Sequence, residues 1–411
     1  MANDRYSGLV NAGDLPDKPA PMRTDGIVAW ARDNLFDGMF NSVLSLLALA
    51  FVLYVIPPAL NWLVFSANWA GGADACRANP DAACWPFVTA RWEQFLYGFY
   101  EKSERWRINI LLVTLTIGIL WLAIEKMPAK KHIAIFMLFI FPVLAFFMMY
   151  GTESAVKGID STLAAHAASG EFAPLDPVRK LIRIPFAAAD LRTVETSQWG
   201  GFTLTLVIAL SGIVASLPLG VLLALGRRSK MRMISLLSTI FIEFWRGIPL
   251  VAVLFMASIM FPLFLPPGAQ FDQLLRAVIG VALFASAYMA EVVRGGLQAI
   301  SKGQYEGAMA LGLPYTKMMR LIIMPQALKV VIPGIVNTFI GLFKDTTLVL
   351  IISLFDLLGI VQASIADPNW SIASVPYTGY AFVAIVFWIC CYSMAIYSRR
   401  IEEKLHTGHK R

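Results

Sequence analysis

The sequence has 411 residues, of which 58% are hydrophobic and only 15% are charged, and its formal net charge is +7. Soluble domains carry about 25% charged residues, so this composition excludes a chain made of ordinary soluble domains. In a membrane protein a basic excess belongs to cytoplasmic loops, and with no nucleic-acid motif in the chain we expect no nucleic-acid partner.

Long charge-free windows predict membrane-spanning helices. A span needs about 20 apolar residues, because every backbone amide in lipid must be paired within the segment. The windows without Asp, Glu, Lys or Arg are 38–73, 133–152, 201–226, 247–271 and 368–398. Weaker spans, which are short or interrupted by charges, are 108–124, 273–293 and 330–352. We therefore predict an all-α membrane protein with about eight transmembrane helices.

The short basic loops predict the orientation. Segments 125–132 and 226–233 and the tail from Arg399 are rich in Lys and Arg, which favours the cytoplasmic side. With an even number of spans, both termini are then cytoplasmic. The longer loops 66–107 and 151–200 are then outside.

The cysteines leave two interpretations open. Cys76 and Cys84 both fall in the first outside loop, where an oxidising compartment permits a disulfide. Two free thiols are the alternative. Cys390 and Cys391 lie inside the last span, where we expect them to serve packing.

A charged, glycine-containing stretch separates two apolar spans near residue 300. Ser301 to Tyr305 leads into a predicted short helix, which Gly312 is suited to end. Pro314 prevents its simple continuation, and a second helix is predicted from Tyr315 to about residue 328. The alternative is an ordinary amphipathic helix lying on the membrane surface.

This stretch resembles the cytoplasmic coupling loop of ABC importer permeases. The spacing of Glu306, Ala308, Gly312, Ile322 and Pro325 carries the resemblance. The sequence departs from the family pattern at two positions, with Gly in place of Ala at 307 and Met in place of Leu at 324.

The resemblance extends over about half of the chain. The segments GFTLTLVIALSGIVASLPLG (201–220), FIEFWRGIPL (241–250), EVVRGGLQAI (291–300) and MPQALKVVIPGIVNTFIGLFKDTTL (324–348) are similar to permeases for polar amino acids. WARDNLF (30–36) and YGFYEKSERWR (97–107) resemble the longer permease subunits of general L-amino-acid systems.

The resemblance implies a domain plan. A cytoplasmic segment covers 1–38, and a three-span region with two long periplasmic loops covers 39–194. The permease core of five spans covers 195–398, with its coupling loop at 294–329, and a basic cytoplasmic tail covers 399–411.

The resemblance also implies partners and a location. The chain would work in a bacterial inner membrane with an ATPase dimer, a second and different permease subunit, and a periplasmic amino-acid-binding protein. ATP and Mg²⁺ would be bound by the ATPase, and this chain would bind no cofactor and catalyse no reaction. The residues expected to couple to the ATPase are Gly303, Glu306, Ala308, Ala310, Leu311 and Gly312.

Charges within the predicted spans suggest a substrate path. Glu291, Lys344, Asp345 and Thr346 are the candidates, because charge at membrane depth is costly and usually faces a cavity or a partner. The alternative is pairing between helices, for instance of Lys344 or Asp345 with Glu291 or Arg294. Glu243 and Arg246, at the entry to a span, are interpreted as interfacial anchors, with gating as the alternative.

Three other kinds of membrane protein would have their own sequence features. A secondary transporter driven by an ion gradient predicts broken helices in matching halves, and the sequence shows no convincing internal repeat. A membrane-embedded enzyme requires clustered catalytic groups, and a channel requires charged or carbonyl-lined repeats around a pore. The importer permease therefore remains the main prediction, with the secondary transporter as the alternative.

Overall fold

The computed structural model describes residues 26–124, 126–169, 175–266 and 271–406. These residues form helices joined by turns, and no strand is found among them, which confirms the predicted all-α class. Positions 1–25 of the predicted N-terminal segment and 407–411 of the basic tail lie outside the described residues.

The described residues divide into two compact units, the smaller of which is formed by 26–67 with 81–83. Its helices are α1 (Ile27–Leu35) and α2 (Met39–Leu60), and α2 continues as a π-helical turn over Asn61–Phe65. Helix α2 is apolar around its whole circumference, with no polar stripe, as a helix surrounded by lipid requires.

The larger unit consists of the described residues within 68–80 and 84–406. Its N-terminal helices are α3 (Ala73–Ala78), α4 (Trp85–Tyr97), α5 (Arg105–Ala123), α6 (Lys130–Ile135), α7 (Phe141–Tyr150), α8 (Glu153–Ser169) and α9 (Asp176–Ala189). The next helices are α10 (Gly201–Arg227), α11 (Arg232–Gly247), α12 (Leu250–Phe255), α13 (Gln273–Ala299) and α14 (Lys302–Ala310). The last are α15 (Tyr315–Met318), α16 (Met324–Val330), α17 (Ile332–Asp345), α18 (Leu357–Ile365) and α19 (Ser374–His406).

Seven helical segments of the described chain are long and apolar enough to cross a membrane. They are Met39–Phe65, Lys102–Ala123, Lys130–Tyr150, Gly201–Arg227, Gln273–Ala299, Ile332–Ile352 and Ser374–Lys404. Each corresponds to one of the spans predicted from composition.

The remaining predicted span, 247–271, has a different form. Helix α11 is followed after a sharp break by a helical segment Leu250–Phe264, and the two are bent by 103°. The break lies at Ile248 and Pro249, whose backbones are both extended; a residue before proline is biased toward that conformation. The sequence window therefore merged the end of one helix with a shorter segment.

Helices α10 and α13 pack side by side and run parallel. At one end the Thr196 hydroxyl donates to Asp272, which caps α13. At the other end Arg227 contacts Glu291 at 2.6 Å, and Arg228 donates to the Leu297 carbonyl at 2.8 Å. Two parallel spans require an odd number of crossings between them, so the bent pair counts as one crossing and brings the spans of the described residues to 8.

The predicted division near residue 195 does not interrupt the packing of the larger unit. One hydrophobic cluster combines Ile108 and Phe141, from the region before 195, with Trp199, Leu204 and Leu254, from the region after it. Helices α5 and α7 therefore form part of the same packed core as α10.

The cysteine pair of the first long loop forms a disulfide. The Cα atoms of Cys76 and Cys84 lie 5.6 Å apart, and both side chains are buried in a cluster with Phe87 and Val375. The following helix α4 lies beside the start of α10, where the Thr203 hydroxyl donates to the Leu96 carbonyl at 2.7 Å. The disulfide therefore lies on the side of the membrane where α10 begins.

Candidate coupling loop and substrate cavity

The segment after α13 forms the predicted helix, kink and second helix. Ser301 is extended and precedes α14. Gly312 follows α14 with a φ of +69°, a left-handed conformation that glycine adopts without strain. Pro314 is extended and precedes α15, so the second helix starts in a new direction. Local sequence thus fixes both ends of α14.

The inner side of α14 packs on the chain itself. Ala308 is only 2% exposed and belongs to a cluster that includes Met318, Met319 and Ile323. The sequence interpretation had Ala308 on the surface that meets a partner, but its methyl group faces the chain's own core. It helps to hold α14 against the second helix.

Tyr305 connects α14 to the ends of two spans. The Arg228 guanidinium carbon lies 5.8 Å from the centre of the Tyr305 ring. Arg228 donates to the Leu297 carbonyl at 2.8 Å, and the Tyr305 hydroxyl donates to the same oxygen at 3.4 Å. Helix α14 is therefore tied to the loop after α10 and to the last turn of α13.

The outer side of α14 is open. Gly303, Glu306, Ala310 and Gly312 are exposed, and Leu311 is 77% exposed. The structure thus brings five of the six candidate coupling residues to one exposed loop and turns the sixth, at 308, inward. An exposed carboxylate beside exposed apolar and small residues is suited to contact with another protein.

A cluster of charges joins α10, α11 and α13 near the same end of the spans. Glu291 contacts Arg227 at 2.6 Å, Arg294 at 2.7 Å and Arg246 at 3.6 Å. Arg227 also contacts Glu243 at 2.8 Å. Glu243 and Arg246, which the sequence suggested as interfacial anchors, therefore belong to a network that fixes the end of α11 against two spans.

A cavity of about 280 Å³ lies between α13 and α17. Its lining residues are Phe284, Ala285, Tyr288, Thr338, Gly341, Leu342 and Asp345. Asp345 supplies a carboxylate, and Tyr288 and Thr338 supply hydroxyl groups. The Arg246 guanidinium carbon lies 5.9 Å from the centre of the Tyr288 ring, which places a cation beside the cavity.

The other substrate-path candidates lie away from this lining. Glu291 is one helical turn from Tyr288 and is held by its three arginines. Thr346 is 1% exposed, and its hydroxyl donates to the Phe343 carbonyl at 2.8 Å. Lys344 is exposed but is not a lining residue.

The pairing considered as an alternative for Lys344 and Asp345 does not occur among the described residues. Glu291 and Arg294 bind each other at 2.7 Å, and both remaining contacts of Glu291 are to arginines. A carboxylate that already has three cationic partners has little to gain from Lys344. Asp345 is left facing the cavity.

Sequence reasoning missed Arg227, Tyr288 and Tyr305. Arg227 was interpreted only as part of a basic loop that sets orientation. Tyr288 precedes Glu291 by one helical turn, so the spacing of three residues was a usable signal that both share a face of α13. No comparable signal existed for Tyr305, because its partner Arg228 is 77 positions away.

Comparison with known proteins identifies relatives along nearly the whole chain. The "Inner membrane amino-acid ABC transporter permease protein YhdY" of Escherichia coli is 45% identical over 96% of this chain and 97% of its own length. The "Glutamate/glutamine/aspartate/asparagine transport system permease protein BztC" of Rhodobacter capsulatus is 41% identical over 98% of this chain and 99% of its own.

The model of the family "Binding-protein-dependent transport system inner membrane component" matches residues 216–407. The chain belongs to the ABC transporter permease family. The "Probable glutamine ABC transporter permease protein GlnP" of Bacillus subtilis, at 33% identity, covers only 50% of this chain but 91% of its own length. Shorter members of the permease family thus correspond to half of this chain.

Membership assigns the chain a translocation role within an ABC transporter, as the sequence predicted. The match over 216–407 includes α11 to α19, the charge cluster, the cavity and the exposed loop. The comparisons give no support to the alternative of a secondary transporter.

Proposed function

We propose that this permease imports polar L-amino acids in a complex driven by ATP hydrolysis on a separate ATPase subunit. The permeases YhdY and BztC, whose names state amino-acid transport, support the substrate class. The observation that carries the proposal is the exposed face of α14, formed by Gly303, Glu306, Ala310 and Leu311 beside an inner face tied to two spans. ATP and Mg²⁺ bind the ATPase, and a periplasmic binding protein delivers the amino acid.

The disulfide and the loop support an orientation in the membrane. Cys76 and Cys84 lie on the side where α10 begins, whereas α14 follows the opposite ends of α10 and α13. Structural disulfides belong to oxidising compartments such as the periplasm. This supports a periplasmic disulfide and a cytoplasmic α14, in an inner membrane with both chain ends cytoplasmic.

The loop transmits movement through its inner side, where Ala308 is packed in the chain's own core. When the ATPase dimer closes, it moves Glu306 and Leu311, and Tyr305 carries that displacement to Arg228 and the Leu297 carbonyl. Helices α10 and α13 then move together, since Arg227 and Glu291 join them 2.6 Å apart. Helix α13 forms one wall of the cavity, so its movement changes access to the substrate.

The cavity residues suit an amino acid. Asp345 attracts the ammonium group, and Arg246, beside Tyr288, attracts the carboxylate. Thr338 supplies a hydroxyl group for a polar side chain. This chain supplies one wall, and a second, different permease supplies the other. Charged groups that face a cavity within the membrane are expected for a substrate path.

Reconstitution tests this proposal. The purified complex in liposomes should accumulate amino acids only with ATP on the α14 side and binding protein on the disulfide side. The chain alone should accumulate none, with or without an ion gradient. Uptake by the chain alone under a sodium or proton gradient would contradict the proposal and favour a self-sufficient transporter.

A further inference from the structure

The periplasmic loop between two spans contains a helical hairpin with an unusual distribution of apolar residues. Helix α9 is strongly amphipathic. Leu175, which precedes the helix, and four large apolar side chains within it are exposed. From 43% to 68% of each is accessible, and the four within the helix are Val178, Leu181, Ile182 and Ile184. Positions 178, 181 and 182 recur at helical spacing, so these side chains form one continuous face.

The polar face of α9 is turned inward, onto α8. Arg183 donates through Nε and Nη2 to the two carboxylate oxygens of Asp160 in α8, with Nη2 at 3.0 Å. Asp176 contacts Arg179 at 2.9 Å and His166 of α8 at 3.0 Å. Helix α9 is therefore oriented in the opposite way from an amphipathic helix that covers a soluble core.

The surface of α8 is the water-facing counterpart. Exposed positions of α8 include Ser154, Lys157 and Ser161, and no large apolar residue is exposed among its described side chains, 153–166. The hairpin thus has one polar side, formed by α8, and one apolar side, formed by α9. Such a two-sided hairpin fits a boundary between water and an apolar phase.

The base of the hairpin lies at the end of a membrane span. The Thr152 amide donates to the Leu191 carbonyl at 2.9 Å, and the Val194 amide donates to the Tyr150 carbonyl at 2.8 Å. The Phe186 ring of α9 lies 4.7 Å from the Phe147 ring, one turn inside the last residue of that span. The C-terminal turn of α9 is therefore level with the outermost turn of a transmembrane helix.

The apolar face of α9 lies at the same level as exposed apolar side chains of the neighbouring span, which face lipid. The same span exposes the large apolar side chains of Val143, Leu144 and Phe146. Lys180 is exposed at the edge of the apolar face of α9, where its long stem can extend its charge to lipid phosphates. The contact with Phe147 and the exposed residues next to it favour lipid over a protein partner as the occupant.

We infer that α8 and α9 lie on the periplasmic surface of the bilayer, with the α9 face of Val178, Leu181 and Ile184 embedded among the lipid headgroups and outer acyl chains. The assignment depends on contacts within the hairpin and not on the transport cycle. It gives this loop a membrane-anchoring role that the permease core alone does not require.

Spin-label accessibility tests the assignment directly. Single cysteines replace Leu181, Ile184 or, as the matched control on α8, Ser161, in a full-length chain whose Cys390 and Cys391 are changed to Ser. Each variant carries a nitroxide in vesicles of phosphatidylethanolamine and phosphatidylglycerol. Unchanged elution on size exclusion confirms that each variant is folded.

At Leu181→Cys and Ile184→Cys, collisions with oxygen, which concentrates in lipid, should exceed collisions with a water-soluble nickel chelate several-fold. At Ser161→Cys the nickel chelate should dominate. Equal nickel access at 181 and 161 would overturn the assignment, because α9 would then stand in water. Exclusion of both reagents at 181 would overturn it too, because the face would then be covered by protein.

Discussion

The Arg228 guanidinium lies over the ring of Tyr305, with 5.8 Å between its carbon and the ring centre. Both side chains also donate to the carbonyl oxygen of Leu297. A residue of the exposed loop thus shares one backbone acceptor with a residue that follows α10, at the last turn of α13. The loop after α10 therefore meets the end of α13 and the start of α14 at this point, 69 and 77 positions away in sequence.

Loss of the Tyr305 ring should uncouple the loop from the spans. In Tyr305→Ala, we expect amino-acid uptake per ATP hydrolysed to fall several-fold, since the cation–π contact and its packing are removed. Tyr305→Phe is the matched control, because it keeps the ring and loses only the two long hydrogen bonds of the hydroxyl group, from Arg228 at 3.3 Å and to the Leu297 carbonyl at 3.4 Å. Uptake and ATPase rates are measured on the same vesicles. An unchanged ratio in Tyr305→Ala would mean that this contact transmits no movement.

Removing the charge of Asp345 should lower amino-acid uptake, while the complex still assembles. Asp345→Asn keeps the shape of the side chain, but loses a charged partner, and we expect uptake to fall by about 10- to 100-fold, the usual worth of one charge-assisted contact. Lys344→Met is the control at the adjacent position, which does not line the cavity. Normal uptake by Asp345→Asn, or equal loss in both variants, would remove Asp345 from the site.

Two glycines of the loop should respond in opposite directions to alanine. Gly312 has a φ of +69°, and a side chain in this left-handed conformation costs about 1–2 kcal/mol. Gly307 lies inside α14 with no atom near an added Cβ, so Gly307→Ala should stabilise the helix by about 0.5–1 kcal/mol.

Hydrogen exchange at the amides of residues 303–311 measures both effects. Exchange should become faster in Gly312→Ala and slower in Gly307→Ala. The same direction of change in both variants would show that the backbone conformation at 312 does not control the end of α14.

The buried carboxyl group of Asp356 should make stability depend on pH. Asp356 precedes α18 and caps it by accepting from the Gly359 amide at 2.9 Å, but its second oxygen has no partner among the described residues. Burial raises the pKa of this group from 3.8 to about 6, although the amide hydrogen bonds oppose the shift. In the unfolded chain the group is ionised at lower pH than in the folded protein.

The contribution of Asp356 to stability is therefore fully present below about pH 3.8 and is lost as pH rises through about 6. Above that range Asp356→Asn should raise the apparent melting temperature. The gain in the free energy of unfolding should be at most about 3 kcal/mol, the equivalent of the difference between a pKa of 3.8 and one of about 6. Near pH 4 the two proteins should differ little. Melting curves in detergent at both pH values check this, and a pH-independent difference would contradict the assignment.

Composition predicted a membrane protein because each span must meet the requirement for apolar residues within its own stretch of sequence. A span needs an unbroken apolar run, and each of seven helices carries its own. The bent form of the span predicted at 247–271 was not visible for the same reason, since a window without charges cannot show that Ile248 and Pro249 interrupt the helix. Only the parallel packing of α10 and α13 shows that the bent pair makes one crossing.

The candidate site was predictable only where its features depend on neighbouring residues in the sequence. The ends of α14 follow from Gly312 and Pro314, which act on their own neighbours in sequence. The inward direction of Ala308 depends on Met318 and Ile323, which return against it through the kink. The neutralisation of Glu291 depends on Arg227 from another span, 64 positions away. Such partners are set by tertiary packing.

Cross-linking from α14 tests most directly whether this loop engages the ATPase. Ala310 and Ala308 are two alanines of the same helix, of which the first is exposed and the second is buried. Each is changed to Cys in a chain with Cys390 and Cys391 replaced by Ser, and a short thiol-reactive photo-cross-linker is attached in the assembled complex. The ATPase subunit should be captured from position 310 and not from position 308. Capture from 308 alone, or capture of the periplasmic binding protein from 310, would contradict a cytoplasmic loop that engages the ATPase.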